Sequence, residues 1–214
     1  MNTFCYKNDL PNDVFDCLNK ATKIAIDTEA MGLNNHRDRL CLVQISSGDS
    51  KAHLVQFIKK SGHNLQYDSP NLVKLLQNKD IQKIFHFARF DVAILQHTFG
   101  INLENIYCTK IASRLCRTYT NSHSLRELCD DLLHVKISKQ HQTSDWGQSN
   151  LSRAQAEYAA NDVLYLHDLA NALDGLLNRE DRLELAKSCF AFVPTLAKLD
   201  VLGWGENLFA HHIA

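Results

Sequence analysis

The stretch Ile24-Ala25-Ile26-Asp27-Thr28-Glu29-Ala30 constrains this chain more than any other. Three apolar or small residues, rich in β-branching, read as a strand, and the strand ends in two acids spaced i and i+2. On a strand that spacing sends Asp27 and Glu29 to one face. Two like charges so placed repel and raise each other's pKa. Either the strand end turns into a polar loop, or a cation sits between the acids, and the remainder of the chain has to decide.

Around this stretch the apolar pattern is first antiparallel, then alternating. Lys23–Asp27 is the first strand, Met31–Arg39 a polar loop, and Leu40–Ile45 a second strand too apolar for a half-exposed edge. Ser46-Ser47-Gly48-Asp49 is a hairpin signal returning into Ala52–Phe57, which makes a three-strand meander. Before it, residues 1–20 read only as a turn and a short helix, Asp13 to Asn19. Beyond Pro70 strands and helices alternate: a helix over Asn71–Asn78, a strand over Lys83–Phe87, a helix over Phe90–Phe99 closed by Gly100, a short strand over Asn105–Cys108, and a helix over Thr109–Thr118. Only helices follow, over Leu125–Leu133, Ser152 to about Leu177, and Arg179–Phe190; Ser152 with Gln155 forms a capping box. The fold class is therefore α/β, an antiparallel three-strand meander plus parallel strands in one mixed sheet flanked by helices. We expect one domain over residues 1–214, with a C-terminal helical extension and tail from about 179 and no additional helical nucleic-acid-binding domain.

Composition narrows the function classes. No apolar run approaches bilayer length, and the N-terminus has no basic start followed by an apolar stretch, so neither a membrane span nor a signal peptide is expected. Seven scattered cysteines without a C-x-x-C pair fit reduced thiols and a cytoplasmic location, not a zinc site. With 23 basic and 24 acidic residues the net charge is −1, whereas a protein gripping a long nucleic acid carries a basic excess. A nucleic-acid ligand would have to be short, with metal ions supplying the missing positive charge.

Two further acids stand in unexpected company. Asp91 falls in the first turn of a helix that starts at a strand end, where the helix dipole alone would favour an acid. Tyr158 and Asp162, four apart, share one helix face whose continuation is apolar, so Asp162 would be buried and needs a cation. Ala159 and Ala160 beside them permit close packing against the sheet. Asp27, Glu29, Asp91 and Asp162 are hard oxygen donors without a His/Cys set, which suits Mg²⁺ or Mn²⁺. Two such ions could activate a water and stabilise the leaving oxygen of a phosphodiester.

The order D-T-E, H-F-x-R-F-D and Y-A-A-N-D resembles the three motifs of the DEDD superfamily of 3′→5′ exonucleases, with Tyr158 marking the DEDDy branch. Lys139–Trp146 resembles the K-x-x-Q-x-S-D-W segment of the ribonuclease D group. Phrases such as H-R-D-R-L-C-L-V-Q, T-K-I-A-S-R-L and a late L-G-W are similar to one subgroup, nano-RNase C. The resemblance implies a ribonuclease H-like fold, two divalent ions, very short RNA as substrate (diribonucleotides, pGpG among them), 5′-mononucleotide products, and a homo-octamer. It implies Asp27, Glu29, Asp91 and Asp162 as metal ligands and Tyr158 as the group orienting the attacking water; a phenol of ordinary pKa about 10 is a poor base.

Substrate contacts implied by the resemblance are Thr28, Leu33, His86, Phe90, Gln142 and Ser144. Leu33 would wedge beside the bases or merely cap the core. His86 and Phe90 would touch sugar and base, or His86 is a satisfied strand-end histidine. Gln142 and Ser144 would meet the 5′ phosphate, while Trp146 would pack. Lys110, Arg114 and Arg117 share a helix face, read as solvated or as a subunit contact before an RNA track. The apolar tail, with Trp204, Leu208, Phe209 and Ile213, suits docking on a neighbouring subunit. The competing readings are a general exonuclease trimming longer RNA or DNA, and an inactive exonuclease-like binding module; the latter predicts loss of an acid, and none is lost.

Overall fold

The computed structural model describes residues 2–58, 67–138, 144–204 and 206–209. Its sheet has the expected meander: β2 (Lys23–Ala30), β3 (Leu40–Ser46) and β4 (Lys51–Gln56) pair antiparallel in sequence order. Every residue of β3 is buried, so helices must cover both of its faces. β5 (Gln82–Phe85) joins the other edge of β2 in parallel, and β6 (Ile106–Cys108) joins β5 in parallel.

One strand goes beyond the sequence reading. β1 (Asn2–Lys7) pairs in parallel with β4 and forms an outer edge, giving the order β1-β4-β3-β2-β5-β6. Its side chains are mostly exposed, so it carries no apolar run or clean alternation by which to recognise it.

The helices are α1 (Asn12–Leu18), α2 (Pro70–Gln77), α3 (Ala88–Phe99), α4 (Thr109–Cys116), α5 (Leu125–Leu133), α6 (Arg153–Leu164), α7 (Leu166–Arg179) and α8 (Leu183–Val201). Gly100 closes α3 in the left-handed conformation, and the Ser152–Gln155 capping box opens α6. The single long helix expected from Ser152 breaks at Tyr165. α6 lies across β1 to β4, whereas α7 packs on β2, β5, α4 and α5, and one straight rod could not cover both surfaces. The last helix runs further than the expected Phe190, through Pro194 to Val201, because its C-terminal half is held against α3. Arg89 of α3 grips Asp200 of α8 with two hydrogen bonds of 2.6 Å, Nε to Oδ2 and Nη2 to Oδ1. No helix among the described residues is long and apolar enough to cross a membrane.

Candidate active site

β2 carries the first two acids between β3 and β5, and its pleat turns both to one face. α6 brings Asp162 to them, since fully buried Ala159 and Ala160 let that helix lie close on the sheet. One oxygen from each of Asp27, Glu29 and Asp162 lies within 4.8 Å of the others. Asp91, 5% exposed in the first turn of α3, stands outside this trio. Thr28 Oγ1 donates to Asp91 Oδ1 at 2.7 Å, and Gln44 Nε2 of β3 donates to Asp27 Oδ2 at 3.2 Å. The residue between the two strand acids thus ties them to the third element.

The trio is electrostatically uphill. Two carboxylates 4.8 Å apart repel by about 3 kcal/mol at the effective dielectric of a protein surface. None of the four acids has an ion-pair partner among the described residues. Burial lifts Asp27 well above the usual carboxylate range, with Asp91, Asp162 and Glu29 adding to it. Burial, then Asp162 and Asp91, push Glu29 up to about 9. Asp91 and Asp162 are both lifted to about 7 by burial, against hydrogen bonds from Thr28 and Tyr158 respectively that pull them down. A crowded set of hard oxygen donors whose charge nothing offsets is what a divalent cation fits.

Tyr158 sits one helical turn before Asp162 and hydrogen-bonds it. Burial and the charges of Asp162, Glu29 and Asp27 raise its pKa far above that of free phenol, so it stays protonated and acts as a donor. Trp146, 3% exposed, packs against its ring at 6.0 Å between centroids, in keeping with the packing role expected.

The three acids and Tyr158 line a cavity of about 350 Å³ together with His86, Phe87, Lys110, Arg126 and Ser138. His86 Nδ1 and Thr109 Oγ1 share a hydrogen bond of 2.9 Å, and Thr109 Oγ1 also reaches the Phe85 carbonyl at 3.2 Å. Burial, with nearby Lys110 adding to it, lowers the ring's pKa to about 3, so the imidazole is neutral. His86 is therefore both a satisfied strand-end residue and a wall of the cavity. A second cavity, about 650 Å³, adjoins at Phe87 and is lined by Leu33, Phe90, Arg89 and Asp200. A larger one, about 860 Å³ between β6 and α8, contains none of the four acids.

The residues expected to contact substrate fall in different places. Leu33 is 84% exposed at the rim of the second cavity, so it does not cap the core. Phe90 is half-buried and lines that cavity. Thr28 lines the first cavity, though its hydroxyl is engaged by Asp91. Ser144 is half-buried and does not line the acid cavity, where Ser138 does. Gln142 and Ile213 lie outside the described residues. Of the three basic residues on α4 and its end, Lys110 faces the cavity and Arg114 is exposed. Arg117 departs from the solvated-face reading: it is 3% exposed, bonded to the Ser122 carbonyl at 3.0 Å and paired with Asp131, because the chain folds back over it into α5.

Phe87 carries no mark in the sequence beyond its place at the expected end of a strand. The strand expected to reach it ends at Phe85, because Phe87 adopts the left-handed backbone, φ 63° and ψ 48°. The other non-glycine residues at positive φ among the described residues are Asn8, Ser50, Asn105, His134 and Asp181, all polar. A bulky apolar residue there is an outlier costing about 1–3 kcal/mol.

Residues 3–178 match the 3′-5′ exonuclease family. The chain belongs to that family. A curated relative, ribonuclease D of Nitrobacter hamburgensis, is 30% identical over 159 residues, covering 74% of this chain; the chain spans only 40% of that relative's length. Among solved structures, Brucella melitensis NrnC bound to pGG is 51% identical with a TM-score of 0.91, over 99% of this chain and 100% of that one. NrnC with bound Mg²⁺ is 50% identical with a TM-score of 0.89 over the same shares. Escherichia coli RNase D, 21% identical, shares the fold with a TM-score of 0.78, covering 92% of this chain and 51% of its own. The ribonuclease H-like fold and the resemblance to ribonuclease D and nano-RNase C are both borne out.

Proposed function

We propose that this 3′-5′ exonuclease hydrolyses the 3′-terminal phosphodiester of very short RNA, diribonucleotides above all, and releases 5′-mononucleotides by DEDDy chemistry with two divalent ions, Mg²⁺ or Mn²⁺. The observation that carries the reading is the Asp27–Glu29–Asp162 trio, with Tyr158 beside it, inside a cavity of only about 350 Å³. The match over 100% of a relative solved with pGG supports the short substrate, as does a net charge of −1, since a dinucleotide has few phosphates to neutralise.

Asp27, Glu29, Asp91 and Asp162 would hold the ions, whose chemistry when bound is to acidify water and to stabilise the leaving oxygen. The chain's own residues do the rest. Thr28 holds Asp91 in place, and Gln44 fixes Asp27. Tyr158 keeps its proton, which it gives to Asp162, and its hydroxyl oxygen positions the attacking water by accepting from it. His86, neutral and lining the cavity, shares a hydrogen bond with a ribose hydroxyl. Lys110 and Arg126 bring positive charge to the lining of the same cavity.

A second reading, trimming of longer RNA as a ribonuclease D would do, is favoured by the curated relative. A time course on 5′-labelled RNAs of two to seven nucleotides, with and without divalent metal, separates them. We expect metal-dependent loss of the dinucleotide as the fastest step. Dinucleotides that accumulate from the longer RNAs would refute the short-RNA reading. We also propose a homo-oligomer, an octamer by resemblance, acting in a reducing cytoplasm that suits seven free thiols.

A further inference from the structure

Phe87 stands at the only point where the two cavities share a described wall among the residues so far unassigned to chemistry: its ring lines both the acid cavity and the neighbouring cavity of Leu33 and Phe90. It is 46% exposed although apolar, and its left-handed backbone, φ 63°, thrusts the side chain out where the strand ends instead of letting it follow β5 into the core. Among the described residues it pairs with no other aromatic ring. The contact the ring does make is polar in kind: Lys110 Nζ lies over it, 4.4 Å from the centroid. With a cation held on one face, the ring offers the other to a planar ligand.

We propose that Phe87 is a specificity-determining residue, a stacking platform for one nucleobase of the dinucleotide, which enters the cavity of Leu33 and Phe90 while the phosphodiester lies at the acids. The unfavourable backbone is kept at a residue that lines both cavities. Lys110 holds the ring in place from α4. The inference rests on the reading of the chain as a short-RNA exonuclease.

The test compares intact dinucleotides with dinucleotides abasic at the 3′ or the 5′ residue. It uses the full-length enzyme and Phe87→Gly, Phe87→Asn and Phe87→Trp; glycine and asparagine both accept the left-handed backbone, so neither truncation is strained. Loss of a base–aromatic stack is expected to cost wild-type kcat/KM about 5- to 150-fold for one of the two abasic substrates, mainly through KM. Phe87→Gly and Phe87→Asn should cleave that abasic substrate and the intact one alike, and Phe87→Trp should restore the discrimination. Mg²⁺-induced thermal stabilisation should match wild type in all three. If the truncations discriminate against the abasic substrate as strongly as wild type does, the platform is overturned. Failure of wild type to cleave any dinucleotide would instead overturn the short-RNA reading.

Discussion

Replacing Asp162 with asparagine should stabilise the metal-free protein while abolishing turnover. The carboxyl is lifted from 3.8 to about 7, chiefly by burial. A group whose pKa is higher folded than unfolded contributes stability that is intact below its unfolded pKa and lost as pH rises through the folded one. For Asp162 that window runs from about pH 4 to about pH 7. Some three units at about 1.4 kcal/mol each bound the penalty near 4 kcal/mol above pH 7. Because Asp27, Glu29 and Asp91 share the same crowding and partial solvent access, we expect the asparagine to recover about half of that, about 2 kcal/mol. In a chain of 214 residues this raises Tm by roughly 4–8 °C. Asparagine keeps the shape and an acceptor for the Tyr158 hydroxyl, so no cavity offsets the gain.

Thermal melts in EDTA at pH 5, 6.5 and 8 should show an advantage that grows with pH and levels off above 7. Saturating Mg²⁺ should reverse the order. Wild type gains about 2.7 kcal/mol at a hundredfold excess over Kd, and Asp162→Asn gains far less. Turnover of a dinucleotide by the variant should vanish in parallel. A variant less stable than wild type in EDTA at pH 8, or an advantage that does not change with pH, would refute the reasoning that uncompensated charge makes this cluster a cation site.

Two other outcomes follow from the same geometry. Tyr158→Phe keeps the packing on Trp146 but removes the hydroxyl; kcat should fall about 100-fold with KM nearly unchanged. Its pH–rate profile should shift to higher pH, because the hydrogen bond that lowers the Asp162 pKa is gone. Truncation after Gly203 removes Trp204, Leu208 and Phe209, exposed by 61%, 44% and 66%, and should reduce the particle mass measured by light scattering; an unchanged mass would reject a role for the tail in assembly.

Much of the candidate site was legible because it is local. The D-x-E spacing on a strand and the four-residue step from Tyr158 to Asp162 on a helix are periodicities, and periodicity decides which side chains share a face before any tertiary contact forms. The meander, the capping box and the glycine that closes α3 were readable for the same reason. What escaped notice lacks a local mark. β1 is an exposed edge strand, recruited by the free side of β4, and its sequence has little apolar pattern of its own. The turn at Tyr165 exists because two surfaces must be covered, and Arg117 is buried because α5 folds back over it.

The sequence by itself determined the chemistry: four hard oxygen donors and a phenol, on elements whose faces their spacing dictates. Only the tertiary structure decided how those donors are arranged. It drew Asp27, Glu29 and Asp162 within 4.8 Å while Asp91 stayed outside the trio, bonded to Thr28, and it set the three on the lining of a cavity that shares Phe87 with its neighbour. The physical reason is that a residue's type and period are written along the chain, whereas distance, burial and backbone strain arise where β2, α3 and α6 pack together.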